Sequence, residues 1–155
     1  MLARDGAVVL VADVDNEKAQ AIASSVGGSA VEAGQAIATE CDVYAPCALG
    51  ATLSAESVPQ LRCRIVAGSA NNQLAQPEAA DLLRAAGILY APDYVINAGG
   101  AIAINFLELN GRSQADVDAA LVRIGETLTK IYAQADTEGI TTAAAADALA
   151  ASRLT

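Results

Sequence analysis

The chain has 155 residues, 54% of them hydrophobic and 17% charged, with a formal net charge of −9. That length suits one globular domain with a real core. The charge argues against nucleic acid or an anionic membrane as partner, because phosphate binding draws on clustered basic residues, and here seven arginines and two lysines are scattered. No histidine is present, which removes Ser-His-Asp and Cys-His catalytic sets and His-ligated zinc from this chain.

The segment "GAVVLVADVD" holds an apolar run from Ala7 to Ala12 that Asp13 closes. It is uniformly apolar rather than alternating, which predicts a strand buried on both faces of a parallel sheet. Asp15 is placed as an N-cap for a helix over 16–26, stopped by Gly27 and Gly28. Short strands are expected over 42–45, 65–67 and 88–91, and a last one over 94–96. Helices are expected over 54–61 and over 78–86, the second with Pro77 at its start and Gly87 beyond its end.

After Gly99 and Gly100 the chain is expected to be helical to its end, at about 101–152. Val117, Leu121, Ile124, Leu128 and Ile131 recur at spacings of four and three, an apolar stripe between a Ser113 cap and Gly139. Glu126 and Lys130 sit four apart on the opposite face, a mild helix-supporting pair. Strands alternating with helices at this spacing predict an α/β fold with a doubly wound parallel sheet. A dinucleotide fold of that kind usually opens on a strand and G-x-G-x-x-G, and that motif is not in this sequence. The segment from Met1 resembles the end of that first helix.

Three cysteines, Cys41, Cys47 and Cys63, lack C-x-x-C spacing and read as reduced thiols of a cytoplasmic protein. No apolar run is long enough for a membrane span, and "MLARDG" lacks a signal-peptide pattern.

Asp13 at a strand end has two readings. It can accept hydrogen bonds from an adenosine ribose and repel a 2′-phosphate, or it can help Asp15 cap the following helix. With no histidine base, Cys41 and Cys47 are poor nucleophile candidates, and "CALG" (47–50) reads as a small-residue loop that admits a flat ring. "GSANNQL" (68–74) and "VINAGG" (95–100) also follow strands, where ligands gather in open parallel sheets. Asparagine donates and accepts at once, which suits a carboxamide or carboxylate, yet Asn71 and Asn72 are equally ordinary turn residues.

"VADVD", "ECDVYAPCALGA", "VPQLR", "VAGSANNQL", "GILYAPDYVINAGG" and "GITTAAAADALAASR", in this order, resemble the leucine, phenylalanine and valine dehydrogenases of the glutamate dehydrogenase superfamily. The resemblance implies NAD-dependent reversible oxidative deamination of a branched-chain or aromatic L-amino acid to its 2-oxo acid and ammonia. It implies cofactor contacts from Asp13 (adenosine ribose), Ala48, Ser69, Asn71 and Asn97. It implies substrate contacts from Asn71, Ala101 and Ile104, with Asn72 left as the turn residue. "GGAIAINFLEL" departs from the family's more usual "GGVINVADEL", which leaves the amino-acid preference open.

The family's catalytic lysines and aspartate lie in an N-terminal domain that this sequence does not include. Lys18 and Lys130 fall on expected helix surfaces and do not replace them. The chain therefore reads as an N-terminally truncated, Rossmann-like nucleotide-binding domain spanning 1–155, without its first strand and glycine-loop helix. No turnover is expected from it alone, and an exposed sheet edge is expected to favour self-association. Homo-oligomers are usual in the family. The competing expectation is an inactive remnant or a regulatory module that binds a nucleotide or a partner chain.

Overall fold

The computed structural model describes residues 1–153. The chain divides into two compact units, Met1–Glu40 and the remainder from Cys41 onward. Both are built from parallel strands and helices, the α/β class that the alternation predicts.

In the first unit a 3-10 turn, Leu2–Asp5, precedes β1 (Leu10–Val11). Helix α1 (Asn16–Val26) has the predicted bounds, because its signals are local. The Asp15 carboxylate accepts from the Lys18 backbone N–H at 3.2 Å, and Gly27 ends the helix in the left-handed region at φ 68°. Ala19 and Ala23, four apart, are its buried face. Strand β2 (Ser29–Ala30) pairs in parallel with β1, Leu10 opposite Ser29 and Val11 opposite Ala30, and a second 3-10 segment, Ala33–Ala38, follows. The apolar run is thus a shorter strand than expected, and it is not buried on both faces: Val8 is 90% and Leu10 41% exposed. The physical reason is cover: in this unit α1 packs on the strand pair, and one helix covers one face.

In the second unit β3 (Val43–Tyr44), β4 (Ile65–Val66) and β5 (Leu89–Tyr90) form one parallel sheet in that order. Val43, Ile65 and Leu89 lie level on one face, and Tyr44, Val66 and Tyr90 on the other. The second row enters a core of Leu53, Val58, Val66, Leu83, Ile88 and Tyr90, with Leu83 supplied by α2 (Ala79–Ala85). Burial of a side chain such as Leu83 contributes about 1.5–3 kcal/mol. Val43 and Leu89 remain partly in solvent, so this sheet too is one-sided.

Two expected elements are corrected. Over 54–61 only Val58–Gln60 forms a 3-10 turn. The Ser54 hydroxyl takes the N–H groups of Glu56 and Ser57, and Pro59 brings no N–H, so side chains and proline outcompete helix bonding. The run 94–96 is not a strand but part of helix α3 (Asp93–Ile96), one turn that starts directly after Pro92. Three apolar residues are too few for periodicity to separate the two states.

Beyond Asn97 the chain is helical as expected: α4 (Gly99–Ala103), a π-helical segment Ile104–Leu109, α5 (Gln114–Glu138) and α6 (Thr142–Ala151). Ser113 and Asp116 form a reciprocal capping box at the start of α5, and Gly139 closes it at φ 66°. The stripe on α5 is buried at its ends, Val117 and Ile131, and only half-buried at Ile124 and Leu128. Ile131 and Ala135 pack against Ala145 and Ala146 of α6, small residues that let the two helices approach. Glu126 and Lys130 do not pair; among the described residues the ion pair is Lys18 with Asp15, at 3.2 Å. Among these residues no helix is long and apolar enough to cross a membrane.

Candidate functional site

Three loops leave the carboxyl ends of β3, β4 and β5, and all three meet. The first, 45–52, and the second, 67–74, interlock through two glycines. A Cβ on Gly68 would lie 2.5 Å from the Pro46 nitrogen and 2.6 Å from its Cδ; a Cβ on Gly50 would lie 2.5 Å from the Asn71 carbonyl oxygen and 2.9 Å from that of Asn72. No residue with a side chain fits at either place without moving backbone. The Ala70 N–H donates to the Pro46 carbonyl at 3.0 Å, and the Ala51 N–H to the Asn72 carbonyl at 2.6 Å. Inside the second loop, fully buried Gln73 donates its Nε2 to the carbonyls of Gly68 and Ala70 at 2.8 and 3.0 Å, stapling the loop to itself.

The third contribution comes from α3 and the residue after it. Asp93 and Asn97 are four apart, so one helical turn sets them on the same face. Asn97 Nδ2 donates to Asn71 Oδ1 at 2.6 Å and to the Ser69 carbonyl at 3.4 Å. The Asp93 Oδ2 accepts from the Asn72 N–H at 2.8 Å, while its Oδ1 accepts from the Tyr90 hydroxyl at 2.8 Å. Asn72 adopts the left-handed region at φ 53°, so it is the turn residue and Asn71 the presented one. A strand over 94–96 would break this arrangement, because it would set Asp93 and Asn97 about 13 Å apart instead of about 6 Å, one helical turn.

Sequence-expected residues therefore separate into groups. Ser69, Asn71 and Asn97 are bonded together, and the exposed Ala48 belongs to the loop that Gly50 presses against Asn71. Ala101 on α4 and Ile104 at the start of the π-helical segment are both exposed, and neither touches this hydrogen-bonded cluster through a polar contact. Asp13 belongs to the first unit. Its Oδ1 accepts from the Asp15 N–H at 2.9 Å, bracing the turn before α1, while Asp15 itself is the cap.

A nicotinamide nucleotide needs a backbone without bulky side chains beside a carboxamide-compatible donor and acceptor. The cluster has both: Ala48 and Gly50 keep the first loop small, and with Asn97 Nδ2 engaged, Asn71 Nδ2 and Asn97 Oδ1 make no hydrogen bond among the described residues. The residues present fit that group. Cys41 and Cys63 are poor nucleophiles: burial, chiefly, pushes both above the ordinary thiol value, with Asp42 adding to Cys41 and Cys41 adding to Cys63. Burial also raises the Tyr90 hydroxyl, as does its bond to Asp93, so it stays a proton donor to that carboxylate.

Two features had no sequence expectation. One is Asp93, whose signal was a carboxylate directly after Pro92 and three residues from Tyr90. The other is a groove of about 730 Å³ that Asn72 and Asp93 line together with Leu74, Arg84, Tyr94 and Asp147 among others. It joins residues too distant in sequence for any local pattern to reveal. Tyr94 donates to Asp147 at 2.7 Å across it, and burial followed by that bond raises the Tyr94 hydroxyl.

A parallel α/β sheet whose strand-end loops converge on paired carboxamides has the arrangement at which open parallel sheets take up ligands. The family model for glutamate/leucine/phenylalanine/valine dehydrogenases matches residues 6–155, and the chain belongs to that family. It is 43% identical over 150 residues to leucine dehydrogenase of Bacillus cereus, covering 97% of this chain and 41% of that protein. It is 40% identical over 158 residues to phenylalanine dehydrogenase of Bacillus thermotolerans, covering 99% of this chain and again 41% of the relative. The crystal structure of L-tryptophan dehydrogenase from Nostoc punctiforme superposes with a TM-score of 0.94 at 38% identity, covering 98% of this chain and 46% of that one. The relatives are amino-acid dehydrogenases, hence oxidoreductases, and the chain spans less than half of their length.

Proposed function

We propose that this chain is the NAD-holding portion of an amino-acid dehydrogenase that interconverts a branched-chain or aromatic L-amino acid with its 2-oxo acid and ammonia. The observation that carries the reading is the Asn97–Asn71 bond at 2.6 Å, which leaves one carboxamide donor and one acceptor free at the ends of β4 and α3. NAD, when bound, supplies the hydride acceptor. The chain's own residues hold and orient. Asn71 and Asn97 face the nicotinamide end, Ser69 lies in the same loop, and Ala48 leaves room for a flat ring. Asp13 keeps Oδ2 for adenosine-ribose hydroxyls, since its bond to the Asp15 N–H uses Oδ1. Asn71 also addresses the substrate's carboxylate end, and Ala101 and Ile104 contribute to its side-chain pocket. Proton transfer belongs to a catalytic domain contributed by a longer chain, so this portion alone turns nothing over.

Calorimetric titration of the chain with NAD tests the reading. A Kd below about 1 mM, equivalent to roughly −4 kcal/mol, is expected, and Asp13→Ala should abolish it. Absence of binding by the folded chain would favour a remnant without cofactor. NADH production from leucine, valine, isoleucine or phenylalanine by the chain alone would contradict the assignment of proton transfer elsewhere.

A further inference from the structure

We propose that Asp93 is a positioning residue of this site: through the Asn72 N–H it fixes the left-handed turn that presents Asn71 to Asn97. The inference rests on the NAD-holding reading and adds to it the device that sets the geometry. Asp93 is 7% exposed, and the side-chain cluster of Asn71 and Asn97 does not include its carboxylate. Its two oxygens are committed in different directions, Oδ2 to the Asn72 N–H at 2.8 Å and Oδ1 to the Tyr90 hydroxyl at 2.8 Å. The Tyr90 oxygen in turn accepts from the Asp93 N–H at 3.3 Å, and the Tyr90 carbonyl accepts from Thr142 Oγ1 at 2.7 Å. The carboxylate is therefore anchored to Tyr90 of β5, a residue whose backbone is itself bonded to α6.

Asn72 needs that hold. At φ 53° Asn72 holds the left-handed region, which asparagine tolerates better than most residues but does not keep without support, and its N–H has no other partner among the described residues. With the Ala51 N–H on the Asn72 carbonyl, the turn residue is gripped at both ends. Because Asp93 and Asn97 are one helical turn apart, the same short helix grips the Asn72 backbone and the Asn71 side chain. Release of the first grip lets residue 72 relax and turns Asn71 away from Asn97.

The test uses the full chain, NAD calorimetry and 15N NMR of the asparagine side-chain amides. Asp93→Ala is expected to weaken NAD binding about tenfold, in line with loss of a bond to a charged group. Asp93→Asn should restore most of the affinity, since its Oδ1 accepts the Asn72 N–H and its Nδ2 donates to the Tyr90 oxygen. In an Asn71→Ala background Asp93→Ala should cost almost nothing further, because the carboxylate acts through Asn71. Additive losses in that double variant overturn the proposal, as does an Asp93→Ala protein that binds NAD like wild type. Should Asp93→Ala not fold, Tyr90→Phe carries the same cycle with a smaller loss expected. Failure of wild type to bind NAD sinks the cofactor reading alone. The positioning role is then decided by the Asn71 side-chain resonance, which Tyr90→Phe or Asp93→Ala must move and Asp93→Asn must not; an unmoved resonance overturns it.

Discussion

The strand-end loops around Asn71 and the helical segment from Gly99 to Asn110 are both assigned to one small-molecule site, yet they are built on opposite principles. The first is fixed from several sides: two glycines permit backbone-to-backbone approach, Gln73 staples the loop, and Asp93 and Asn97 grip consecutive residues. The second is held by its own helical bonds, by Leu121 of α5 near Gly99, and by Arg112 lying 4.6 Å over the Phe106 ring, while Ala101, Ile104, Leu107 and Leu109 face solvent. The difference matches the demands of the two tasks. On the proposed reading, holding a cofactor requires one geometry, whereas a side-chain pocket can vary with the amino acid it admits.

Substitutions in the fixed region should break the comparison most visibly. Gly68→Ala forces a methyl into the Pro46 backbone and should lower stability by about 3 kcal/mol, read as a fall in urea midpoint at unchanged m-value. Gly50→Ala meets the carbonyls of Asn71 and Asn72 and should cost about 2 kcal/mol together with NAD affinity. Asn71→Ala separates binding from folding: its side chain is exposed, so NAD affinity should fall about tenfold while stability changes by less than about 1 kcal/mol. Calorimetry and urea unfolding on the same sample check that split.

Smaller effects belong to the open region. Ala101→Val and Ile104→Ala should each leave stability within about 0.5 kcal/mol and NAD affinity unchanged, and alter only amino-acid preference in the complete enzyme. A drop in NAD affinity from either would show that the two regions are not independent. The smallest effect is at the cap of α5. Bonds from Ser113 lower the Asp116 carboxyl below its ordinary 3.8. Its stabilising contribution is therefore complete above that value and is lost as pH falls through the lowered one. Asp116→Asn should flatten that acid-side slope, measured as urea midpoint against pH.

The same contrast governs what was legible in the sequence. Helices α1 and α5 could be bounded because their signals are local: Asp15 with Gly27, and Ser113 with Gly139. The loop cluster could be anticipated because ligand loops follow parallel strands, and the family motifs fall on those loops. What failed was decided by competition or by distance. Ser54 and Ser57 diverted the backbone of 54–61, and the three apolar residues 94–96 were compatible with a strand, whereas the N–H groups of Val95 and Ile96 bond back to the Pro92 carbonyl in a helical turn. Burial of β1 and of the Val43–Leu89 row depends on surfaces that the alternation of apolar residues cannot reveal. Asp93 escaped notice because its partners, Asn72 and Tyr90, are joined to it by the fold; only Tyr90 is near it in sequence.

The central claim is that Asn71 and Asn97 form one carboxamide pair that receives the cofactor. The most direct measurement is a 15N NMR titration of the chain with NAD, following side-chain amide resonances of all asparagines. The account predicts that Asn71 and Asn97 shift together, with a common Kd below about 1 mM, while Asn105 and Asn110 stay in place. Shifts confined to the helical segment, or no shift at either residue of the pair, would contradict it.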